Sequence, residues 1–146
     1  MSFSGVFGEK KQALEVYQEL VTISKNYLGT DHPNYLVFKL NYANALNENN
    51  KSHDAIVVID EIILDIINYF GNKSMAYTVV QSTHASALKN LQQFTKAEKI
   101  YTEIINLAIE QFGENHYQVL SAQFNLAELY YESNQPEKTL ILLDKQ

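Results

Sequence analysis

Three of the five glycines in this 146-residue chain stand 42 residues apart, at Gly29, Gly71 and Gly113. Other residues keep the same interval: Ala13, Ala55 and Ala97; Ala43, Ala85 and Ala127; Glu19, Glu61 and Glu103. Residues 29–70 and 71–112 share 12 identities in 42 positions. His32, Leu36, Asn41, Glu48 and Asn50 return two periods later as His116, Leu120, Asn125, Glu132 and Asn134. A period of roughly 20–50 residues marks an array of similar supersecondary units. Each unit buries its apolar face only against its neighbours.

Within the unit the apolar pattern is helical. Lys11, Glu15, Gln18, Thr22 and Lys25 form one polar stripe on a stretch that otherwise carries Leu14, Tyr17, Leu20, Val21, Ile23, Tyr27 and Leu28. Lys96, Lys99, Glu103, Asn106 and Glu110 make the matching stripe later. In the helix over about 52–70, Asp54, Glu61, Asp65 and Asn68 leave only a narrow polar stripe, so it is expected to be covered on several sides. Each of these helices meets a glycine, which can take the left-handed conformation that ends a helix. Helix-start chemistry follows at once, in Thr30-Asp31-His32-Pro33, Asn72-Lys73-Ser74 and Glu114-Asn115-His116. The second helix of each unit is predicted over 33–48, 75–91 and 116–132, and Pro136 opens a last one.

No strand pattern appears, so the expected fold is all-α with about seven helices. The expected order is a flexible segment 1–8, a lone helix 9–28, repeats 29–70 and 71–112, and a truncated repeat 113–146. By the period, the last helix would run about eight residues further. Either the chain is a piece of a longer array, or its open ends are covered by another chain.

Composition narrows the function. There is no cysteine, which removes thiolate chemistry and disulfides. Eleven lysines, no arginine and seventeen acids give a net charge of −6, which argues against a nucleic-acid or anionic-membrane surface. The apolar run Ile56 to Phe70 is broken by Asp60, Glu61, Asp65 and Asn68, so it is a soluble helix and no membrane span. The first eight residues lack the basic start and apolar core of a secretory signal, and a cytoplasmic protein is expected.

Catalytic chemistry is not expected. No two histidines lie three or four apart with a carboxylate, so no metal site is expected. A nucleophile elbow and a phosphate-cradling glycine loop are both absent. His32 and His116 read as helix-start contacts, His84 as a satisfied interior residue, and His53 as a solvated loop residue. Tyr17, Tyr101 and Phe112 have core spacing. Tyr130 and Tyr131 are adjacent, so one of them must face outward or into a groove, where it can anchor an interface.

Asp31-His32-Pro33, Leu40-Asn41-Tyr42-Ala43, Asp54-Ala55 and Tyr69-Phe70-Gly71, with Asn125-Leu126-Ala127 and Tyr130, resemble the tetratricopeptide repeat. The spacing is similar to the 42-residue version found in kinesin light chains and nephrocystin-3-like proteins, over residues 9–146. Ala43, Ala85, Ala127, Ala55 and Ala97 match the small residues at which the family's helices pack closely. Tyr42 and His84 replace a family leucine, Ile62 and Ile104 a family alanine, and Thr139 another alanine.

The resemblance implies a right-handed superhelix of antiparallel helix pairs. The first helix of each pair would line a concave groove that takes a peptide or helix of a partner. The groove positions it implies are Val37, Asn41, Asn44 and Glu48; Val79, Thr83, Ser86 and Lys89; and Ser121, Asn125, Glu128 and Glu132, with Asn41, Thr83 and Asn125 at the floor. Lys89 is the only base among them, so a neutral or basic partner is expected over an acidic one. The implied function is a non-catalytic protein–protein adaptor or scaffold without cofactor, in the cytoplasm and in cargo or cytoskeletal linkage. The alternative is a structural block fixed in a larger assembly, or self-associating, through its open ends and convex face.

Overall fold

The computed structural model describes residues 4–144. Seven helices follow one another among them: α1 (Ser4–Leu28), α2 (Pro33–Glu48), α3 (Ser52–Phe70), α4 (Met75–Asn90), α5 (Phe94–Phe112), α6 (Tyr117–Glu132) and α7 (Glu137–Asp144). No strand occurs among the described residues. The bounds follow the 42-residue period closely. The largest difference is that α1 begins at Ser4 and runs through Gly8, where the sequence pattern starts it at residue 9; α4 also ends one residue early, at Asn90, and α6 begins one late, at Tyr117. Residues 1–3 of the expected flexible segment lie outside the described residues. No helix of the described residues is long and apolar enough to cross a membrane.

The chain forms two compact units, one up to Ala87 and one from Leu88 onward, with the boundary inside α4. The first unit has a core of Leu14 from α1, Leu36, Leu40, Ala43 and Leu46 from α2, Ala55, Ile59, Ile62 and Ile66 from α3, and Val80 and Ala87 from α4. The spacings of three and four in α2 and α3 put each set on one helix face. Ala43 and Ala55 are fully buried, and their small side chains permit close helix approach. Burying each large aliphatic contributes about 1.5–3 kcal/mol. In the second unit, Ala97, Tyr101, Ile104, Ile105 and Ala108 of α5 pack with Val119, Ala122, Leu126, Leu129 and Tyr130 of α6.

The expectation that α3 is covered on several sides is not met. Val57 and Leu64 are 56% and 69% exposed. They share an outward stripe with Asp60, Glu61 and Asn68, so charged residues separate the two aliphatics.

Helix ends repeat as faithfully as the cores. At the end of α2 the Lys51 N–H donates to the Leu46 carbonyl at 2.8 Å and the Asn50 N–H to the Asn47 carbonyl at 3.2 Å. This is the paired bonding of a helix stopped by a left-handed residue. The same pair recurs after α4 (Gln93 to Leu88 at 2.8 Å, Gln92 to Lys89 at 2.9 Å) and after α6 (Gln135 to Tyr130 at 2.7 Å, Asn134 to Tyr131 at 3.2 Å). Asn50, Gln92 and Asn134 hold φ of 63°, 62° and 61°. Asparagine visits this region readily, while a longer side chain costs about 1–2 kcal/mol there. Gln92→Gly is therefore expected to raise stability by about 1 kcal/mol, a melting-temperature gain of a few degrees in a thermal scan. An unchanged or lower melting temperature would show that Gln92 is not strained.

The glycines end their helices differently from the sequence expectation. Gly71 and Gly113 have φ of 93° and 84°, but their ψ values of 158° and 162° lie outside the left-handed helical well. This extended, positive-φ region is open essentially to glycine alone. It sends the chain away from the helix toward the next start.

Candidate interaction surface

The twelve expected groove positions divide between the two units. In the first, Val37 and Val79 are repeat-equivalent and each 38% exposed. Asn41 is half-buried, while Asn44 and Glu48 are exposed, and the Asn44 amide donates to the Glu48 carboxylate at 3.2 Å. Thr83 is buried, and its hydroxyl donates to the Val79 carbonyl at 2.9 Å. It therefore packs into the helix instead of offering a donor at the floor. Ser86 is half-buried and accepts a hydrogen bond from the Asn47 amide at 3.0 Å.

Nothing in the sequence pattern singles out Asn47. It lies buried on the α2 stripe of Leu36, Leu40 and Ala43, four residues beyond Ala43. Its carbonyl accepts from the Ser52 hydroxyl at 2.6 Å while its amide reaches Ser86. One side chain thus joins α2, α3 and α4. An amide is suited to this because it both donates and accepts.

In the second unit, Ser121 is exposed and Asn125 half-buried. The Lys89 ammonium lies 3.0 Å from Glu128 and 3.5 Å from Glu132. Lys89 and Glu128 stand one 42-residue period beyond Asn47 and Ser86. The same contact position is kept while its chemistry changes from amide and hydroxyl to an ion pair. Such a partly exposed pair adds about 0–1 kcal/mol. Burial, with Glu128 and Glu132 nearby, pushes the Tyr101 hydroxyl up to about 12.

His32 and His116 cap their helices as expected. Their Nδ1 atoms accept from the Asn34 and Gln118 N–H groups, each at 3.1 Å. In the middle repeat Ser74 does the same work, accepting from the Tyr77 N–H at 3.1 Å. His53 is exposed, as expected, but lies in the first turn of α3 and not in a loop.

His84 is half-buried, and burial lowers its pKa below the usual 6.5 against an opposing pull from Asp60. Folding therefore favours the neutral ring. This contribution is complete above pH 6.5 and is lost as pH falls from there through the lower folded-state value. His84→Gln is expected to lose less stability than the parent between pH 7.5 and pH 5 (roughly, bracketing the histidine range) in urea titrations. Equal losses would remove His84 as the cause.

Among the aromatics, Tyr101 is buried as expected and Tyr17 half-buried. Phe112 is not in the core. It is 46% exposed and stacks on the His116 ring at a centroid distance of 4.4 Å. Of the adjacent tyrosines, Tyr130 is buried and donates to Glu98 at 3.1 Å, whereas Tyr131 is 78% exposed.

A cleft of about 340 Å³ opens between α5, α6 and α7, walled by Ile105, Ile109, Val119, Leu126 and Ile141. None of the twelve groove positions lines it. The corresponding place in the first unit, 84 residues earlier, lies among α1, α2 and α3. Among the described residues, no three histidine or carboxylate side chains cluster to hold a metal ion.

Residues 77–145 match the tetratricopeptide-repeat family. The fold is that of a Podosopora anserina protein assigned as a kinesin light chain and built of nearly identical TPR-like repeats, with a TM-score of 0.81 at 20% identity. A single-substitution variant of that protein gives a TM-score of 0.80 at the same identity. The match covers 94% of this chain and 65% of the other, so the chain spans just under two-thirds of the protein it resembles. No curated protein matches in sequence. Residues 77–145 thus carry the tetratricopeptide-repeat signature, and the fold as a whole is all-α and similar to kinesin-light-chain TPR-like repeats. Repeats of this kind mediate protein–protein interaction and scaffolding.

Proposed function

We propose that the chain is a non-catalytic scaffold that binds a peptide or helix of a partner on the exposed faces of the first helices of its repeats. The single observation that carries this is the repeated geometry of the α2 and α4 faces, where Val37 and Val79 stand equally exposed one period apart, with Asn41 and Asn44 beside Val37. Aliphatic contacts flanked by amides suit an extended backbone, whose N–H and C=O groups both need partners. In the second unit Ser121 and Asn125 form the corresponding patch. The expected charge preference is a neutral or basic ligand. The twelve positions hold three acids, Glu48, Glu128 and Glu132, and one base, Lys89, which is already held by Glu128 and Glu132. The likeness to a kinesin light chain supports a cytoplasmic place in cargo or cytoskeletal linkage.

The test compares capture of proteins from source-cell lysate by the parent chain and by Asn41→Ala/Asn125→Ala, read by mass spectrometry. Each lost hydrogen bond is worth about 0.5–1.5 kcal/mol, so the specific partner should bind at least several-fold more weakly to the double variant. Unchanged capture of every partner would sink the reading.

A further inference from the structure

The outward stripe of α3 differs from the same stripe on α1 and α5. Its two aliphatics, Val57 and Leu64, are 56% and 69% exposed. One period earlier these positions are Glu15 and Thr22 of α1, and one period later they are Lys99 and Asn106 of α5. All four counterparts are exposed. The positions face solvent in each repeat, and α3 alone puts aliphatics there. Helices lie before and after α3 in the chain, and its counterparts are polar, so packing between repeats does not account for Val57 and Leu64. Charge differs in the same way. At 100° per residue, Val57, Leu64 and Asn68 fall within about 40° of arc, with Asp60 on one flank and Asp54, Glu61 and Asp65 on the other. All four acids are exposed, and no lysine shares their stripe. Lys11 of α1 and Lys96 and Lys99 of α5 stand on the corresponding stripes. Glu61 is paired with Lys39 of α2, whereas Asp54 and Asp65 hold no ion pair among the described residues.

We propose that this stripe docks a basic amphipathic helix of a partner protein, with apolar side chains against Val57 and Leu64 and lysines or arginines between and beside them. Spacing sets the register. Val57 and Leu64 stand two turns apart, about 10 Å along the axis, the heptad interval at which a helix laid alongside presents the same face again. Charge selects the occupant. A basic side chain beside either aliphatic meets an acid on whichever flank it takes, which favours encounter and fixes the register. A second copy of the chain does not fit. Pairing α3 with α3 sets acids against acids, and the α5 stripe has no exposed aliphatic to meet Val57 and Leu64. The same acids repel nucleic acid and anionic lipid. The groove positions all lie on α2, α4 and α6, so docking on α3 does not depend on the groove reading. From Asp54 to Asn68 the stripe is about 21 Å long, a contact at the small end for a specific interface. The expected affinity is therefore modest and falls with salt.

Fluorescence anisotropy with the whole chain tests this. The probe is a labelled alanine-based peptide of about 18 residues, long enough to form a helix. It carries two leucines a heptad apart, with lysines between and beside them. A scrambled peptide of the same composition is the comparison. The parent is expected to bind the patterned peptide at about 10–100 μM and the scrambled one about fivefold or more weakly. Val57→Ser/Leu64→Ser and, separately, Asp60→Lys/Asp65→Lys are each expected to weaken binding by about fivefold or more. Their helical circular-dichroism spectra should not change, because all four residues are exposed. In an isotope-labelled chain read by NMR, the peptide is expected to shift the amide signals of α3. Shifts confined to α2 and α4 would put the peptide in the groove and overturn the proposal. Equal affinity for the scrambled peptide overturns it, as does binding that survives either double variant. No binding up to about 1 mM overturns it as well.

Discussion

Ile66→Ala is expected to lower the unfolding free energy by about 2–5 kcal/mol, the largest effect of any single change considered for this chain. Ile66 is fully buried on the inner face of α3, one helical turn from Ile62, which is 1% exposed. The cost has two parts: the lost transfer of the deleted aliphatic groups from water, and the cavity left where neighbours cannot close in. Closure is hindered because the large side chains of the same core, Leu36, Ile59 and Ile62, are each 1% exposed and already held by their own packing. Leu64→Ala on the same helix is the control. Leu64 is 69% exposed, so its truncation should stay within about 0.5 kcal/mol. Urea titration of both variants decides the matter. A loss below about 1 kcal/mol for Ile66→Ala would show that the core of the first unit repacks freely.

The contrast between those two residues also shows what a sequence can carry. Period and capping chemistry are local, so the helix start at Pro33, the histidine caps and the places of the glycine stops are legible in the order of residues alone. Which side of a helix faces a neighbour is a tertiary fact. The polar stripe of α3 suggests cover on several sides, yet Val57 and Leu64 face outward between charges. Phe112 has core spacing, but it sits in the last turn of α5, where the chain turns off and its ring stacks on His116 instead. Repeat logic places the groove positions on one face of each helix but cannot tell which are spoken for. Thr83 is consumed by its own helix through the Val79 carbonyl, and Ser86 by Asn47. Both are side-chain choices that depend on atoms from other turns or other helices.

Asn47→Ala is expected to cost about 2–4 kcal/mol, far more than the removal of an exposed asparagine such as Asn44. The magnitude comes from what is left behind. The Ser52 hydroxyl, itself buried, loses its acceptor at 2.6 Å, and Ser86 loses its donor at 3.0 Å. A hydrogen bond lost from a buried group such as Ser52 costs about 1–3 kcal/mol, and the half-buried Ser86 adds less because water can reach it. The next repeat shows how the position can be refilled. There Lys89 and Glu128 occupy the places of Asn47 and Ser86 and meet at 3.0 Å. The double replacement Asn47→Lys/Ser86→Glu is therefore expected to recover part of the loss that Asn47→Lys alone inflicts. Asn47→Lys by itself directs a charge at a half-buried hydroxyl with no counter-charge. A double-mutant cycle in urea reads this as a favourable coupling of about 1–3 kcal/mol between positions 47 and 86. Additive losses would mean that the two contacts, although one period apart, sit in backbones too different to exchange chemistry.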